Sequence, residues 1–534
     1  MLKKLPIGIQ TFREIIEEGY VYIDKTGHAR ALAQSGKYYF LSRPRRFGKS
    51  LFLDTLKELF EGSEALFRGL HVHPHWDWSR RHPVIRLDFS GGVLTSHEAL
   101  DLRISRLLDE NAERLGLTCD WSRNDIPGCF GDLIRAAKAE TGERVVILVD
   151  EYDKPILDNI GDLQRAAQMR EGLKNLYSAM KGQDAHIRLV FMTGVTKFSK
   201  VSLFSGLNQL NDLTLDARFA TVCGYTQQDL ETAFAEHLAG VDWARLKQWY
   251  NGYGFLGEPV YNPFDILLFI DKGREYRNFW FETGNPSFLI ELLPRRATFL
   301  PDLEGIEASE EILDSFDIER IDPITLLFQT GYLTIDSTRW RRSRLLYRLR
   351  LPNQEVRMAL ADRLIDGYLG TLPGGRDALQ DSLYDCLSEG DVAGLAAAIQ
   401  RLFAGVAWRN FIHADLPETE GYYASVLYAF FASLNAEVIP EDTGNHGQVD
   451  LTVKLAGYIY VIEIKLARGA GSTAPASAGE PDAGDTDNPA LAQIRTRGYS
   501  AKYRALPSKA LIELGLVLDR QARNLVQADW VRVA

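Results

Sequence analysis

Cysteine is scarce in this sequence. Four occur in 534 residues, Cys119, Cys129, Cys223 and Cys386, and no two stand as a CxxC pair. Neither a disulfide framework nor a thiolate zinc site is signalled, and a reducing compartment is expected. Positive charge is also short, with 61 Lys and Arg against 72 Asp and Glu and a formal charge of −11. A basic coat over the whole surface is thereby excluded, so contact with DNA or RNA must be local. No apolar run reaches the roughly 20 residues that span a bilayer, and Met1 to Gln10 leads into no stretch of signal-peptide length. The expectation is a cytoplasmic protein with no membrane partner. What is present, 46% hydrophobic and 25% charged residues, is the composition of a folded chain. At about 150 residues per domain, its length suggests three or four units.

Continuous apolar runs at Tyr38 to Leu41, Val84 to Phe89, Val145 to Val149 and Ile187 to Thr193 alternate with charge-patterned helical sequence. That order predicts a parallel α/β sheet with both faces covered. Beyond residue 240 the chain becomes aromatic-rich, with WYNGYGF at Trp249 to Phe255 and YNPF at Tyr261 to Phe264. The glycines there favour tightly packed turns over a base-stacking platform. Residues 323 to 356 predict a helix and a two-stranded wing turning near Arg341 to Arg344, read either as a winged-helix-like lid or as two strands packed under a helical subdomain. The expected boundaries are 1–240 for the α/β core, 241–360 for a helical and winged-helix-like middle, 361–415 for a helical connector and 416–534 for a final α/β unit. Within that last unit, Ala470 to Asn488 is rich in Gly, Ala, Ser, Pro and Asp and is expected to be a mobile loop.

The turn RPRRFGKS, Arg43 to Ser50, fits the second half of a Walker A loop but has Arg43 where the first glycine normally stands. Gly48 permits close backbone approach to a phosphate, Lys49 reaches the β and γ oxygens, and Ser50 offers a hydroxyl to magnesium. Arg46 and Phe47 complete the cofactor-binding stretch. Arg43, Arg45 and Arg46 are read two ways, as charge compensation for phosphate or as a surface for a partner. About 100 residues on, VVILVDEYD ends a strand in Asp150 and Glu151. Asp150 is the expected magnesium holder, and Glu151 the group that polarises the attacking water. Among Thr193, Thr196 and Lys197 after the next strand, Thr193 is preferred as a γ-phosphate sensor. Arg218 is an arginine-finger candidate by position alone.

Near the C-terminus, QVDLTVKLAGYIYVIEIKLAR places Asp450 on one strand and Glu463 and Lys465 two apart on the returning strand, so the latter two share a face. Facing carboxylates with a lysine beside them suit metal-dependent phosphodiester hydrolysis. Glu420, at the start of a helix just before the hairpin, completes the expected metal set of Glu420, Asp450 and Glu463. Gln493, Arg495, Arg497 and Lys502, with Arg504, are placed on one following helix as nucleic-acid contacts, with Tyr499 and Tyr503 four apart on one face. The histidines of HVHPHW, His71 to Trp76, are read as a polar aromatic loop because Pro74 spoils the strand that would align them.

The motif series resembles the AAA-ATPase-like proteins of bacteria and archaea whose C-terminal domain belongs to the PD-(D/E)XK nuclease superfamily. The residues that carry it are FLSRPRRFGKSLFLDTL (Phe40 to Leu56), VDEYDKPI (Val149 to Ile156), TGVTKFSKVSLFSGLNQLNDLT (Thr193 to Thr214), WYNGYGF, YNPF, FETGNPSFLI (Phe281 to Ile290), LFQTGYLT, LPNQEV, GQVDL, YVIEIKL and ALAQIRTRGYSAKY. The resemblance implies a P-loop AAA-like ATPase and a restriction-endonuclease-like C-terminal domain, which with the helical and winged-helix-like middle expected at 241–360 make an α/β multidomain chain. It implies ATP binding by Lys49, Ser50, Asp150 and Glu151, a nuclease-like site at Glu420, Asp450, Glu463 and Lys465, and a polar helix position at Gln493. ATP and Mg2+, with Mn2+ as a substitute, are the implied cofactors. Three functional readings remain: an ATP-hydrolysing, magnesium-dependent nuclease; a nucleotide-controlled switch that binds nucleic acid or protein without cutting; and an NTPase whose lobes serve assembly, with a protein partner or further copies of itself.

Overall fold

The structure is a computed structural model, and it describes residues 2–119, 125–197, 210–280, 303, 305–314, 322–369, 373–406, 420–467, 477–479 and 487–533. The chain forms two compact units, Met1–Thr283 with Glu307–Asn353 and Gly284–Ile306 with Gln354–Ala534. Among the described residues no helix is long and apolar enough to cross a membrane.

The first unit is organised by five parallel strands: β1 (Tyr38–Ser42), β2 (Val84–Asp88), β3 (Val145–Asp150), β4 (Ile187–Gly194) and β5 (Asn211–Asp212). Their order is β2-β3-β4-β1-β5. β1 and β3 are buried along their whole length, as expected where helices cover both faces of a parallel sheet. Side-chain caps fix where several helices begin. Asp125 accepts from Gly128 N at 3.0 Å at the start of Ile126–Thr141, and Asp162 from Arg165 N at 3.1 Å at the start of Leu163–Gly182. The order has one consequence for chemistry: β4 lies between the strand that precedes the phosphate-type loop and the strand that ends in Asp150.

Residues 241–283 and 307–353 belong to this same unit. The strand β6 (Glu307–Ser309) precedes the helix Pro323–Thr330, and β7 (Thr334–Arg341) and β8 (Arg344–Arg350) follow it; the three form an antiparallel sheet in the order β6-β8-β7. The expected strand pair is therefore present, turning at 342–343. FETGNPSFLI and residues 198–209 of the Thr193 to Thr214 motif lie outside the described residues.

The second unit carries a mixed six-stranded sheet: β9 (Glu437–Gly444), β10 (Gly447–Leu455), β11 (Tyr458–Ala467), β12 (Ser477–Gly479), β13 (Ala510–Asp519) and β14 (Asn524–Val533), in the order β12-β14-β13-β11-β10-β9. β9, β10 and β11 form an antiparallel meander, while β11 and β13 are parallel and joined through the helix Pro489–Arg497. Gly515 of β13 sits level with Glu463 of β11, and a Cβ there would lie 2.4 Å from Leu491 N. Glycine at 515 thus lets the helix lie directly on the sheet.

Three expectations need correction. First, Ala470 to Asn488 is not wholly loop: Ser477–Gly479 pairs in parallel with β14, and Asn488 is a buried helix cap. An edge strand is held by backbone hydrogen bonds, so a small-residue composition does not prevent one. Second, the basic helix ends at Arg497, where Gly498 adopts φ 64°. Tyr499 and Tyr503 are consequently not on one helix face; both are buried in a cluster with Val449, Ile459, Val461, Ile494 and Leu511. Third, Cys119 and Cys129, ten positions apart in the sequence, are joined as a disulfide with Cα atoms 5.6 Å apart. One local pair is not a framework, and spacing outside CxxC did not announce it.

Candidate functional site

In the first unit, β1 ends at Ser42 and the chain turns through residues 43–48 into the helix Lys49–Glu61. Gly48 caps that helix at φ 92°, in the left-handed region, and the place a Cβ would occupy is open. Backbone conformation, not crowding, asks for glycine. Lys49 is 4% exposed, and its Nζ donates to the carbonyls of Arg43 at 3.0 Å and Pro44 at 3.1 Å.

Arg43 is buried, and burial pulls its pKa down to about 10. It donates to the carbonyls of Ser42, Thr214 and Phe219 at 2.8, 3.0 and 3.2 Å, and stacks 3.9 Å over the Phe255 ring. A guanidinium so enclosed offers nothing to a partner's surface, which corrects that reading for Arg43. Arg45 and Arg46 line the cavity described below, the Arg46 guanidinium 3.9 Å from the Phe264 ring centre. The aromatic motif braces the same turn. Phe47 meets Tyr253 and Phe255 edge-on at 4.8 and 6.1 Å. Gly252 and Gly254 let that segment press against 334–352, since a Cβ would stand 2.1 Å from Pro352 O and 2.5 Å from Ile335 O, respectively. Packing, as expected, is what WYNGYGF does.

Asp150 is 1% exposed, and its Oδ1 accepts from Thr193 Oγ1 at 2.7 Å and Glu151 N at 3.1 Å. Thr193 is paired in register with Leu41 of β1, so it stands between the acidic strand end and the strand that enters the loop. Asp153 is buried and accepts from Thr196 N and Oγ1, each at 2.6 Å, while Tyr152 OH donates to Thr196 O at 3.0 Å. Burial, with Glu151 adding to it, pushes the Asp153 pKa up to about 6. Thr196 is thus engaged with Asp153 and Lys197 ion-pairs with Asp212, leaving Thr193 as the residue of the three that meets Asp150. Arg218 ion-pairs with its neighbour Asp216 at 2.6 Å.

Glu151 has φ 51°, uncommon for a non-glycine residue. With Gly48, Lys49 and Ser50 it lines a cavity of about 400 Å³, within the roughly 300–1,000 Å³ range of small-molecule sites. The rest of the lining is largely apolar or aromatic, including Ile9, Tyr22, Ile23, Tyr225 and Phe264. Residues 6–25 and Tyr225 were missed in the sequence. No spacing links them to the loop; only the fold brings them there. Phe264, in YNPF, had a motif signal.

In the second unit, the β10–β11 ladder pairs Leu451 with Ile462, and the next step brings Asp450 beside Glu463. Asp450 accepts from Ile464 N at 2.7 Å. The Glu463 side chain is 3% exposed; Lys465 Nζ lies 2.9 Å from its Oε1, to which Gln493 Nε2 also donates. Glu463 Oε2 is buried without a hydrogen-bond partner among the described residues. Lys465 Nζ reaches Glu420 Oε2 at 3.4 Å, and Glu420 Oε1 accepts from Leu466 N at 3.4 Å. Glu420 opens the helix Glu420–Ser433, as expected. All five residues, Glu420, Asp450, Glu463, Lys465 and Gln493, therefore meet at one place.

The electrostatics there are unbalanced. Burial, reinforced by the Asp450 charge, pushes the Glu463 pKa up to about 7, and burial raises that of Asp450. Burial works against the Lys465 charge, but Glu463, Glu420 and Asp450 together outweigh it and the pKa is raised. Gln493 reaches Glu463 because Asn488 fixes its helix: Nδ2 donates to Gly515 O at 3.0 Å, while Oδ1 accepts from Ala490 N and Leu491 N at 2.9 and 3.1 Å. Arg495 and Arg497 are exposed. Lys502 is instead bound to Asp442 and to Thr443 O, the latter at 2.7 Å. Among the described residues no group of three or more His, Cys, Asp and Glu is gathered as a metal site. His73–His75 forms a single helical turn rather than a strand.

A parallel sheet with a strand-loop-helix phosphate turn in one unit, and a D…ExK set on a mixed sheet in the other, define an ATPase-like protein carrying a nuclease-like domain. Residues 6–204 match the family described as "Predicted AAA-ATPase", and residues 418–528 match the PD-(D/E)XK nuclease superfamily. The chain is 47% identical over 525 residues to the "Uncharacterized protein in vnfD 5'region" of Azotobacter chroococcum mcd 1, with 98% of each chain covered. It belongs to this family of AAA-ATPase-like proteins with a C-terminal PD-(D/E)XK nuclease-superfamily domain. No solved structure matches it. The family assignments point to ATP binding and nuclease-related activity.

Proposed function

We propose that the protein binds and hydrolyses ATP in its first unit and cleaves nucleic-acid phosphodiesters with a divalent metal in its second. The observation that carries the cleavage reading is the buried Glu463, with Oε2 unsatisfied and Asp450 alongside. A carboxyl whose pKa is raised by burial and by its neighbour's charge favours a cation beside it. Asp450 and Glu463, with Glu420 near, would hold Mg2+, which when bound supplies Lewis-acid charge to the phosphate and a more acidic water. Lys465 is placed to offset negative charge gathering on the phosphate. Gln493 fixes the Glu463 carboxylate, and Glu420 fixes Lys465 while satisfying Leu466 N.

In the first unit, Gly48, Lys49 and Ser50 cradle the phosphates, with Arg46 and Phe47 in the same turn and the apolar lining beside the base. Ser50 and Asp150 would hold the magnesium of the nucleotide. Thr193 positions Asp150, and Glu151 draws a proton from the attacking water. Nucleic-acid contact in the second unit falls to Gln493, Arg495 and Arg497. Lys502 already serves the β9 edge.

A second reading, a nucleotide-controlled switch that binds without cutting, is favoured by one observation: Glu463 Oε1 is already engaged by both Lys465 and Gln493. Incubation of labelled DNA and RNA with the full chain, ATP and Mg2+ or Mn2+ separates the two. Products that disappear in Asp450→Ala establish cleavage at this site. Cleavage retained in purified Asp450→Ala would sink the assignment, and nucleotide-dependent capture without product would establish the switch.

A further inference from the structure

The β7–β8 hairpin of the first unit exposes what soluble proteins rarely leave in water. Trp340 is 74% exposed. Around it, Arg339, Arg341, Arg342, Arg344 and Arg348 are all exposed. The hairpin's charges are arranged unevenly. At its base Arg339 ion-pairs with Glu307 and Arg350 Nε lies 3.1 Å from Asp336 Oδ1. At its tip, among the described residues, no carboxylate pairs with Arg341, Arg342 or Arg344. Three guanidinium groups so close together repel one another in the absence of an anion.

The turn itself is costly. Arg342 and Ser343 adopt φ 48° and 61°, both left-handed, where a two-residue hairpin turn ordinarily takes Asn-Gly or Gly-Gly. Long basic side chains have been placed where backbone economy would choose glycine, which points to a use for them. Register divides the faces. Trp340 pairs with Leu345, and Arg341 with Arg344, so side-chain alternation sets the ring on one face and the paired arginines on the other, with Arg342 at the turn.

We infer that this hairpin tip binds unpaired nucleic acid, Trp340 stacking on a base and Arg341, Arg342 and Arg344 contacting successive phosphates. A flat, exposed indole on one face matches an unstacked base, and Arg342 at the turn with Arg341 and Arg344 on the opposite face matches the phosphates of the same strand as it passes over the tip. The chain's net acidity makes such a local contact necessary if nucleic acid is to be held at all. The inference rests on nucleic acid being the substrate class, but it concerns a contact on a different unit from the D…ExK site.

The test is fluorescence anisotropy with fluorescein-labelled single-stranded DNA, single-stranded RNA and blunt duplex DNA, using the full chain in EDTA so that nothing is cut. Trp340→Ala is expected to weaken single-strand binding on the order of tenfold or more, while Trp340→Phe stays within about threefold because a ring remains. Changing Arg341, Arg342 and Arg344 together to Glu should lower the slope of log affinity against log salt by about two. ATP hydrolysis, read in parallel, should be unchanged in every variant and so reports intact folding. The DNA and RNA arms show which strand is preferred. Unchanged affinity in both the Trp340→Ala and the triple variant would overturn the inference, as would equal losses on blunt duplex. If the wild type cleaves but these variants bind normally, the hairpin contact falls and the nuclease reading stands. If the variants lose binding while the wild type cuts nothing, the reverse holds.

Discussion

At the turn before the helix Lys49–Glu61 the lysine ammonium sits within reach of two backbone carbonyls, whereas on the neighbouring strands β10 and β11 a half-buried and a buried carboxylate lie together with one partly exposed lysine. The first arrangement is complete without its ligand. Lys49, Arg43 and Asp150 all have partners, and aromatic residues from 219–264 clamp the loop. The second is not complete, because burial and the Asp450 charge disfavour the charge on Glu463, and burial disfavours that on Asp450. The difference teaches what each site expects. A preformed loop selects a phosphate by shape and directed N–H groups, while a pair of crowded carboxylates selects a cation by charge.

The largest effects should show the two sites to be separable in chemistry. Asp450→Ala or Glu463→Ala is expected to reduce metal-dependent cleavage by at least about a hundredfold to a thousandfold, with ATP hydrolysis intact. Lys49→Ala should abolish ATP binding, measured with a fluorescent analogue, and leave metal binding at the second site unchanged. Cleavage that survives in Glu463→Ala would break the comparison at its root. Within the first site, Glu151→Gln should still bind ATP but lose hydrolysis about a hundredfold or more, since the general base is removed and the phosphate cradle is not. Loss of ATP binding in that variant would instead give Glu151 a structural task, in keeping with its left-handed backbone.

A proton should compete with the metal at the second site and not at the first. With the Glu463 pKa near 7, Mn2+ affinity measured by calorimetry is expected to rise by up to about tenfold per pH unit below 7 and level off above it. In Glu463→Gln the pH dependence should flatten. The stability linkage has the same origin. A carboxyl whose folded pKa lies above its unfolded value holds its proton better when folded, so its contribution is present at low pH and is lost as pH rises through about 7. Without metal and above pH 7, Glu463→Gln should therefore raise the stability of the second unit by about 1–3 kcal/mol, and added Mn2+ should stabilise the wild type but not the variant. A flat metal affinity between pH 5.5 and 8 in the wild type would remove the argument that charge crowding selects the cation.

How much of this was legible in the sequence follows from the range of each interaction. The phosphate turn, the acidic strand end and the D…ExK hairpin are local: RPRRFGKS, VVILVDEYD and QVDL with IEIK carry their geometry in adjacent residues and in the two-residue period of a strand. The role of Arg43 was not legible, because a guanidinium in a loop reads as solvent-facing until Phe255 and the carbonyls of Thr214 and Phe219 are seen around it. The cavity lining from residues 6–25 depends on tertiary packing alone. The basic helix is shorter than its composition suggests because Gly498, a residue a helix interior can tolerate, takes a positive φ that makes it the terminus.

The smallest expected effect tests whether positioning, as well as charge, distinguishes the two units. Asn488 and Asp125 are both helix caps, the first at the helix that carries Gln493 and the second at Ile126–Thr141 in the ATPase-like unit. Replacing either with Ala should cost about 1 kcal/mol from the cap, and Asn488→Ala about 1 kcal/mol more because its Nδ2 bond to Gly515 O is also lost. Both stability changes are small, but their consequences for activity should differ. Gly515 is level with Glu463, so loosening Asn488 moves the helix whose Gln493 holds the carboxylate. Cleavage in Asn488→Ala is expected to fall about tenfold to a hundredfold with ATP hydrolysis unchanged, while Asp125→Ala leaves both activities near wild type. Gln493→Ala should reproduce the loss in cleavage without the loss in thermal midpoint, since the exposed part of that side chain contributes little to packing. If Asn488→Ala lowers only the midpoint and cleavage holds, the helix is a support for the sheet, and the second site depends on its carboxylates and lysine alone.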